Sequence, residues 1–75
     1  MKTIEIDALG LLCPLPVLKL AKRIKSLDVG DVVYLLADDP AAVVDVPHYC
    51  AESGHELIEM HTHDTHQAFQ IRKQG

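Results

Sequence analysis

One short stretch of the chain, LLCPLP at residues 11–16, combines a nucleophilic side chain with two residues that stiffen the backbone around it. Cys13 is followed by Pro14 and, after Leu15, by Pro16. Proline fixes its own φ and keeps the residue before it extended, so less conformational freedom is lost when the thiol docks in another protein. The stretch therefore predicts a cysteine that is presented outward for sulfur chemistry.

The prolines also indicate the start of a helix, and two registers are open. Either Pro14 is the first helical residue and Cys13 is the N-cap, or Pro16 is the first helical residue. Both registers place Cys13 within about one turn of the positive end of the helix, which predicts a lowered thiol pKa. The Leu15 N–H is a candidate donor to the sulfur. The competing interpretation is that Cys13 is a small buried apolar residue.

The other residues that could do chemistry are a second cysteine and a group of histidines. Cys50 is interpreted as a packing residue of the second helix, with a resolving thiol for Cys13 as the alternative. His61, His63 and His66 lie beside Asp64, and a THDT turn at residues 62–65 would make His61 and His66 face each other. Such a cluster is a candidate zinc or nickel site, and the competing interpretation is a solvated polar turn.

Size and composition limit the classes of function. The chain has 75 residues, which predicts a single domain over residues 1–75 with chemistry near its surface. A net charge of −4 argues against direct nucleic-acid binding. The sequence shows no signal peptide and no membrane span, which predicts a cytoplasmic protein with two reduced thiols. No cofactor or metal is expected, and no Ser/His/Asp set is evident, so passive transfer is favoured over a full catalytic cycle.

The elements that must position Cys13 follow from hydrophobic periodicity. Alternation predicts strands at TIEIDA (3–8), HELIEMH (55–61) and QAFQIR (67–72), and the apolar run VVYLLA (32–37) predicts a central strand. Ile58 and Met60 are predicted to share one face of the third strand.

The helices between these strands follow from apolar stripes and capping signals. A stripe through Leu27 predicts the first helix, and Asp39 as N-cap with Pro40 at the first helical position predicts a second helix to about Ser53. Pro47 predicts a kink or an irregular first turn there. The result is an α+β, two-layer α/β sandwich, ordered βαβαββ, with two helices on one face of a four-stranded mixed sheet.

Charged residues near Cys13 provide candidate docking positions. Lys19, Lys22, Arg23 and Lys25 make the first helix basic on one side. This side is either an ordinary solvated face or a docking patch, in which Lys19 and Arg23 would attract an acidic partner. Asp38 and Asp39 are interpreted first as a helix cap and secondarily as partner contacts.

The stretch DALGLLCPLP resembles the signature of the TusA/SirA family of small sulfur carriers. The matching residues are Asp7, Gly10, Cys13, Pro14 and Pro16. The resemblance continues through Gly30, ADDP at 37–40, DVPHYC at 45–50, GHEL at 54–57 and IRK at 71–73, and so covers nearly the whole chain. Leu15 departs from the pattern, because close TusA relatives often carry an acidic residue at this position.

The resemblance implies a carrier that receives sulfane sulfur on Cys13 as a persulfide from a cysteine desulfurase. The sulfur would then pass to a downstream acceptor, for tRNA 2-thiouridine synthesis or another sulfur-trafficking pathway. Whether such a carrier is an enzyme is left open, with at most sulfurtransferase activity expected. The alternative function is a metal-binding or regulatory module that uses the C-terminal histidines, and a third is a rhodanese-type enzyme that turns over alone.

Overall fold

The computed structural model describes residues 2–75 and contains six elements in the predicted order. These are β1 (Thr3–Ala8), α1 (Leu15–Ile24), β2 (Val32–Ala37), α2 (Ala42–Ser53), β3 (Glu56–Thr62) and β4 (Gln67–Arg72). The strands form one sheet in the order β1-β2-β4-β3, in which β1 and β2 are parallel and the other pairs antiparallel. The predicted two-layer α+β sandwich with a mixed sheet is confirmed.

The core lies between the helices and one face of the sheet. Ile6, Leu35 and Phe69 are neighbours across β1, β2 and β4, and all three are almost completely buried. The apolar stripes of the helices pack on this row, with Leu20 from α1 and Val46 from α2 in the same cluster. Burial of these side chains is the main source of stability in a chain of this size.

The third strand differs from the prediction because it contains a bulge. The pairing shifts between Leu57 and Glu59, so Leu57 lies opposite Ile71 while Met60 lies opposite Phe69. The prediction that Ile58 and Met60 share one face by simple alternation is therefore wrong, because an extra residue in one strand reverses the alternation beyond it.

The hairpin between β3 and β4 is tighter than predicted. The His63 N–H donates to the His66 carbonyl at 2.8 Å, which leaves only Asp64 and Thr65 as turn residues. His66 therefore lies opposite His63, and the predicted pairing of His61 with His66 is wrong.

The helix ends also differ from the prediction. α1 ends at Ile24 and a tight turn follows, in which Leu27 donates its N–H to the Ile24 carbonyl at 3.2 Å. α2 begins at Ala42 with Ala41 as N-cap, after a turn in which the Ala42 N–H donates to the Asp39 carbonyl at 2.9 Å. Asp39 therefore lies before the N-cap of α2, and the prediction that Asp39 is itself the N-cap is wrong. α2 ends at Ser53 with Gly54 as its C-cap, as expected, and Gly54 has a left-handed φ of 77° that suits glycine.

The second face of the sheet carries no helix in residues 2–75, and Tyr34 at its centre is 41% exposed.

Within residues 2–75, neither of the two helices, α1 and α2, has the length and the apolar character needed to cross a bilayer.

Candidate functional site

Cys13 lies in the loop between β1 and α1, and its side chain is exposed. Pro14 is the N-cap of α1, Leu15 is the first helical residue and Pro16 the second. The helix therefore begins between the two prolines, and neither predicted register is correct. The peptide bond between Cys13 and Pro14 is cis. Cys13 stands one residue before the cap, just outside the positive end of the helix.

Two aspartates of the β2–α2 loop hold the backbone in front of the thiol. Both carboxylate oxygens of Asp38 accept the Gly10 N–H at 3.0 Å. Asp39 accepts the Cys13 N–H at 2.5 Å through Oδ2 and the Ala41 N–H at 3.0 Å through Oδ1. Hydrogen bonds from the N–H groups of Ala41 and Cys13 lower the pKa of Asp39. Asp38 and Asp39 thus fix the position of Cys13 in the structure.

The thiol itself contacts a third carboxylate. Cys13 Sγ donates to Oδ2 of Asp45, in the first turn of α2, at 2.9 Å. This hydrogen bond is the main cause of a raised Cys13 pKa, followed by desolvation and the negative charges of Asp45 and Asp39. The Leu15 N–H donates to the Leu12 carbonyl at 2.8 Å and is not used by the sulfur. The prediction of a lowered thiol pKa is wrong, because carboxylates beside the sulfur outweigh the end of a helix whose first turn contains proline.

A pocket of about 250 Å³ opens beside the thiol, between the start of α1 and one side of α2. It is lined by Cys13, Pro14, Val17, Asp45, His48, Tyr49 and Glu52. The four α2 residues recur at positions i, i+3, i+4 and i+7, which places them on one face of a helix. This spacing within DVPHYC and the following residues was visible in the sequence, but nothing in the sequence indicated that this face meets Cys13.

The basic residues predicted on one side of α1 have two different environments in the structure. Lys19 Nζ donates to the Asp7 carbonyl at 2.5 Å, so this ammonium group caps the end of β1. The Asp7 side chain accepts the Leu9 N–H at 2.9 Å and shapes the turn that follows. Lys22 and Arg23 are exposed in the last turn of α1. Of the predicted docking pair, only Arg23 points its charge to solvent without such a structural contact in residues 2–75.

Exposed leucines flank Cys13 along the chain. Leu12 and Leu15, on either side of Cys13, are 70% and 48% exposed, and Leu9 and Leu18 are also exposed. Large apolar side chains that cluster on a surface commonly mark a site of protein contact. The loop that carries the thiol therefore exposes apolar side chains on both sides of Cys13, beside a pocket that contains Asp45 and Glu52.

The second cysteine is separate from this surface. Cys50 is 1% exposed in the core, and burial raises its pKa to about 11. A thiol with this pKa is almost entirely protonated at neutral pH and is a poor nucleophile. Cys50 therefore packs against the sheet, and both cysteines are free.

The C-terminal histidines stack along the hairpin. The ring centroids of His61 and His63 are 6.4 Å apart, and those of His63 and His66 are 4.7 Å apart. Within residues 2–75, no group of three histidine, cysteine, aspartate or glutamate side chains is arranged to hold a metal ion. The alternative of a metal-binding module thus has no ligand set in the described part of the chain.

Comparisons with known proteins agree with this geometry. The family model for sulfurtransferase TusA matches residues 4–73, so the chain belongs to the TusA family of sulfur carriers and sulfurtransferases. Among solved structures, a SirA-like protein from Desulfitobacterium hafniense is similar, with a TM-score of 0.82 and 27% sequence identity. That match covers 96% of this chain and 99% of the other. The resemblance noted in the sequence is therefore confirmed at the level of family and fold.

Proposed function

We propose that this protein is a sulfur carrier that holds a persulfide on Cys13. The sulfur comes from a cysteine desulfurase and passes to a cysteine of a downstream acceptor. The observation that carries the proposal is the exposed thiol, held in front of α1 by the bond between the Cys13 N–H and Asp39 at 2.5 Å. A single fixed and accessible thiol suits exchange between two proteins, because both partners must reach the same sulfur atom.

The surface around Cys13 supports transfer between proteins over chemistry on a free small molecule. Leu12 and Leu15 offer apolar area to a partner, and Arg23 supplies charge farther along α1. The pocket of about 250 Å³ is open and partly lined by exposed residues, so on its own it does not enclose a substrate. A partner that covers Cys13 would exclude water from the exchange and protect the persulfide.

The destination of the sulfur is proposed only as a class. The candidates are an acceptor in tRNA 2-thiouridine synthesis and an acceptor in another sulfur-trafficking pathway. Leu15, two residues after Cys13, exposes 48% of its apolar side chain, and we propose that it influences the choice of acceptor. The single domain over residues 1–75 is proposed to act in the cytoplasm, where a reducing environment keeps Cys13 available.

The decisive experiment is intact-mass analysis after incubation with a cysteine desulfurase and free cysteine. We expect a mass gain of about 32 Da, one sulfur atom, that is reversed by a reductant. The gain should disappear in Cys13→Ser and persist in Cys50→Ala, a variant that leaves no polar atom in the core. A gain that remains in Cys13→Ser, or no gain in the wild type with several desulfurases, would contradict the proposal.

A carrier and an enzyme differ in how many sulfur atoms one protein molecule transfers without being reloaded by a partner. A carrier loaded on Cys13 gives up one sulfur atom for each molecule of protein and then stops until it is loaded again. Repeated thiosulfate:cyanide transfer by the protein alone would instead identify a rhodanese-type enzyme.

A further inference from the structure

The resting thiol lies next to negative charge. Sγ donates to Asp45 at 2.9 Å, and the charged groups that act on it within residues 2–75, Asp45 and Asp39, are both carboxylates. A thiolate, and not a thiol, attacks a persulfide. The isolated protein therefore favours the protonated, less reactive form of Cys13, and a cation brought by another molecule would shift this balance.

The pocket beside the thiol indicates the chemistry of that group. Its apolar lining comes from Pro14, Val17 and the ring of Tyr49, while Asp45 and Glu52 add carboxylates. Lysine and arginine side chains have this combination of an apolar stem and a cationic head. His48 also faces the pocket, where its Nε2 lies 2.8 Å from Glu52 Oε1.

The carboxylates nearest the thiol differ in their availability to a cation. Asp39 already accepts two backbone N–H groups, from Cys13 and Ala41. Asp45 is bonded to the sulfur itself. A cation that pairs with Asp45 would act on the reacting atom directly, because it removes the hydrogen-bond acceptor and the negative charge that favour the protonated thiol.

We propose that the pocket formed by Pro14, Val17, Asp45, Tyr49 and Glu52 receives a lysine or arginine side chain of the sulfur-exchanging partner. This cation pairs with Asp45 and so frees Cys13 to react. The inference rests on the proposed carrier function and identifies the partner group that starts the transfer. It makes the thiol reactive in the docked complex and protects it when the protein is alone.

The transfer step then balances without any oxidant. The Cys13 thiol gives up its proton, and the thiolate attacks the outer sulfur of the partner's persulfide. A new bond forms from Cys13 Sγ to that sulfur, and the sulfur–sulfur bond of the partner breaks. The partner cysteine leaves with the bonding electron pair as a thiolate and takes up one proton. One sulfur atom has moved, and the proton count is unchanged.

The first test measures the free protein. Iodoacetamide alkylation of Cys13 is followed from about pH 7 to about pH 10, a range that spans the titration of ordinary thiols. We expect Asp45→Asn to react at least about threefold faster near neutral pH, because the carboxylate that holds the proton is gone. The matched control is Asp64→Asn, the same substitution at an exposed aspartate of the β3–β4 turn that lies outside the pocket lining, and it should follow the wild type.

The second test compares two sulfur donors. Glutathione persulfide carries no protein surface, so we expect it to load Asp45→Asn faster than the wild type. A cysteine desulfurase should load Asp45→Asn more slowly than the wild type, because the partner's cation has lost its counter-charge. This opposite response of one variant to two donors is the signature of the proposal when Asp45→Asn keeps the circular dichroism spectrum and the cooperative thermal unfolding of the wild type, since an unfolded chain would also lose the carboxylate beside Cys13.

Three results would overturn the inference. They are slower loading of Asp45→Asn with both donors, unchanged loading with both, and faster loading with both. The first would make Asp45 a general base or a structural residue, the second would remove it from the reaction, and the third would leave a protected thiol with no cation in the partner. If the desulfurase fails to load the wild type, the carrier function itself fails, and the alkylation profiles still report on Asp45.

Discussion

At the scale of single residues, one cysteine is held by two aspartates that act on different atoms. Asp39 accepts the Cys13 backbone N–H, while Asp45 accepts the thiol proton. The first contact holds the backbone at Cys13, and the second is the main cause of the raised thiol pKa. Substitution of Asp39 is thus expected to change mainly the mobility of the Cys13 backbone. Substitution of Asp45 is expected to change mainly the reactivity of the thiol.

Loss of the hydrogen bond from the Cys13 N–H to Asp39 should make the β1–α1 loop more mobile. In Asp39→Ala, we expect the Cys13 amide to exchange its hydrogen at least about tenfold faster, because its hydrogen bond is lost and local opening becomes easier. Amide exchange followed by NMR measures this. Asp64→Ala, in the exposed β3–β4 turn, is the matched control and should leave the rate unchanged. Equal protection in Asp39→Ala and in the wild type would show that the loop does not depend on this carboxylate.

The sequence predicted the identity of the candidate cysteine but not its electrostatics. Pro14 and Pro16 restrict the backbone locally, so their effect could be read without a structure. The contact between Cys13 and Asp45 joins positions 32 residues apart. It depends on how α1 and α2 pack, which a single sequence does not determine. The same reason explains why the pocket residues His48 and Glu52 were missed.

At the scale of the elements, a carboxylate joins the beginnings of β1 and β2. Asp31 is almost completely buried and accepts the N–H groups of Lys2 and Asp28, both at 2.9 Å. The bond from Asp28 and then that from Lys2 are the main causes of its lowered pKa. A lowered pKa in the folded state means that the ionised carboxylate stabilises the fold above its unfolded pKa of about 3.9. The contribution is lost as the pH falls through the lower, folded value.

The lowered pKa of Asp31 gives a pH-dependent prediction for the stability of Asp31→Asn. At neutral pH we expect its Tm to be several degrees below that of the wild type, because an amide oxygen is a weaker acceptor than a carboxylate. As the pH falls well below the unfolded pKa of about 3.9, the difference should shrink, since the wild-type carboxylate is then increasingly protonated. Thermal unfolding followed by circular dichroism measures both values, with Asp64→Asn as the control. A Tm difference that is the same at both pH values would contradict the assignment.

Most of the fold could be predicted because the strands show either simple alternation or, in β2, a continuous apolar run. The bounds of β1, β2 and β4 agree with the sequence pattern, and Ile6, Leu35 and Phe69 form the buried row. The bulge in β3 could not be predicted, because an inserted residue leaves the local pattern ambiguous between two registers. The start of α2 was missed because Pro40 is compatible with a preceding turn as well as with a first helical residue.

At the scale of the whole molecule, the two helices lie in one layer, and α1 carries positive charge where α2 carries negative charge. The last turn of α1 carries Lys22 and Arg23, and one side of α2 carries Asp45 and Glu52. A partner that approaches Cys13 therefore meets an asymmetric field, which would favour one orientation of docking over others.

Reversal of the basic end of α1 should slow loading by a protein donor only. We expect Lys22→Glu with Arg23→Glu to reduce the rate of loading by a cysteine desulfurase by roughly three- to tenfold at low salt. Lys19 is left unchanged because its ammonium group holds the Asp7 carbonyl. Stopped loading reactions analysed by intact mass give the rates.

Two comparisons make this result specific. The difference between variant and wild type should shrink at about 1 M salt, where charges are screened within a few ångströms. Loading by glutathione persulfide should be the same for both proteins. An equal loss of rate with the small donor would place the defect in the thiol or the fold and not in docking.

The bond between Sγ and Asp45 also exists only while the chain is folded, since it joins a loop to a distant helix. In an unfolded copy, Cys13 returns to the acidity of an ordinary cysteine and loses its neighbouring carboxylate. A damaged molecule would thus be oxidised or alkylated more readily than an intact one. The reactivity of this thiol therefore reports whether the molecule is folded.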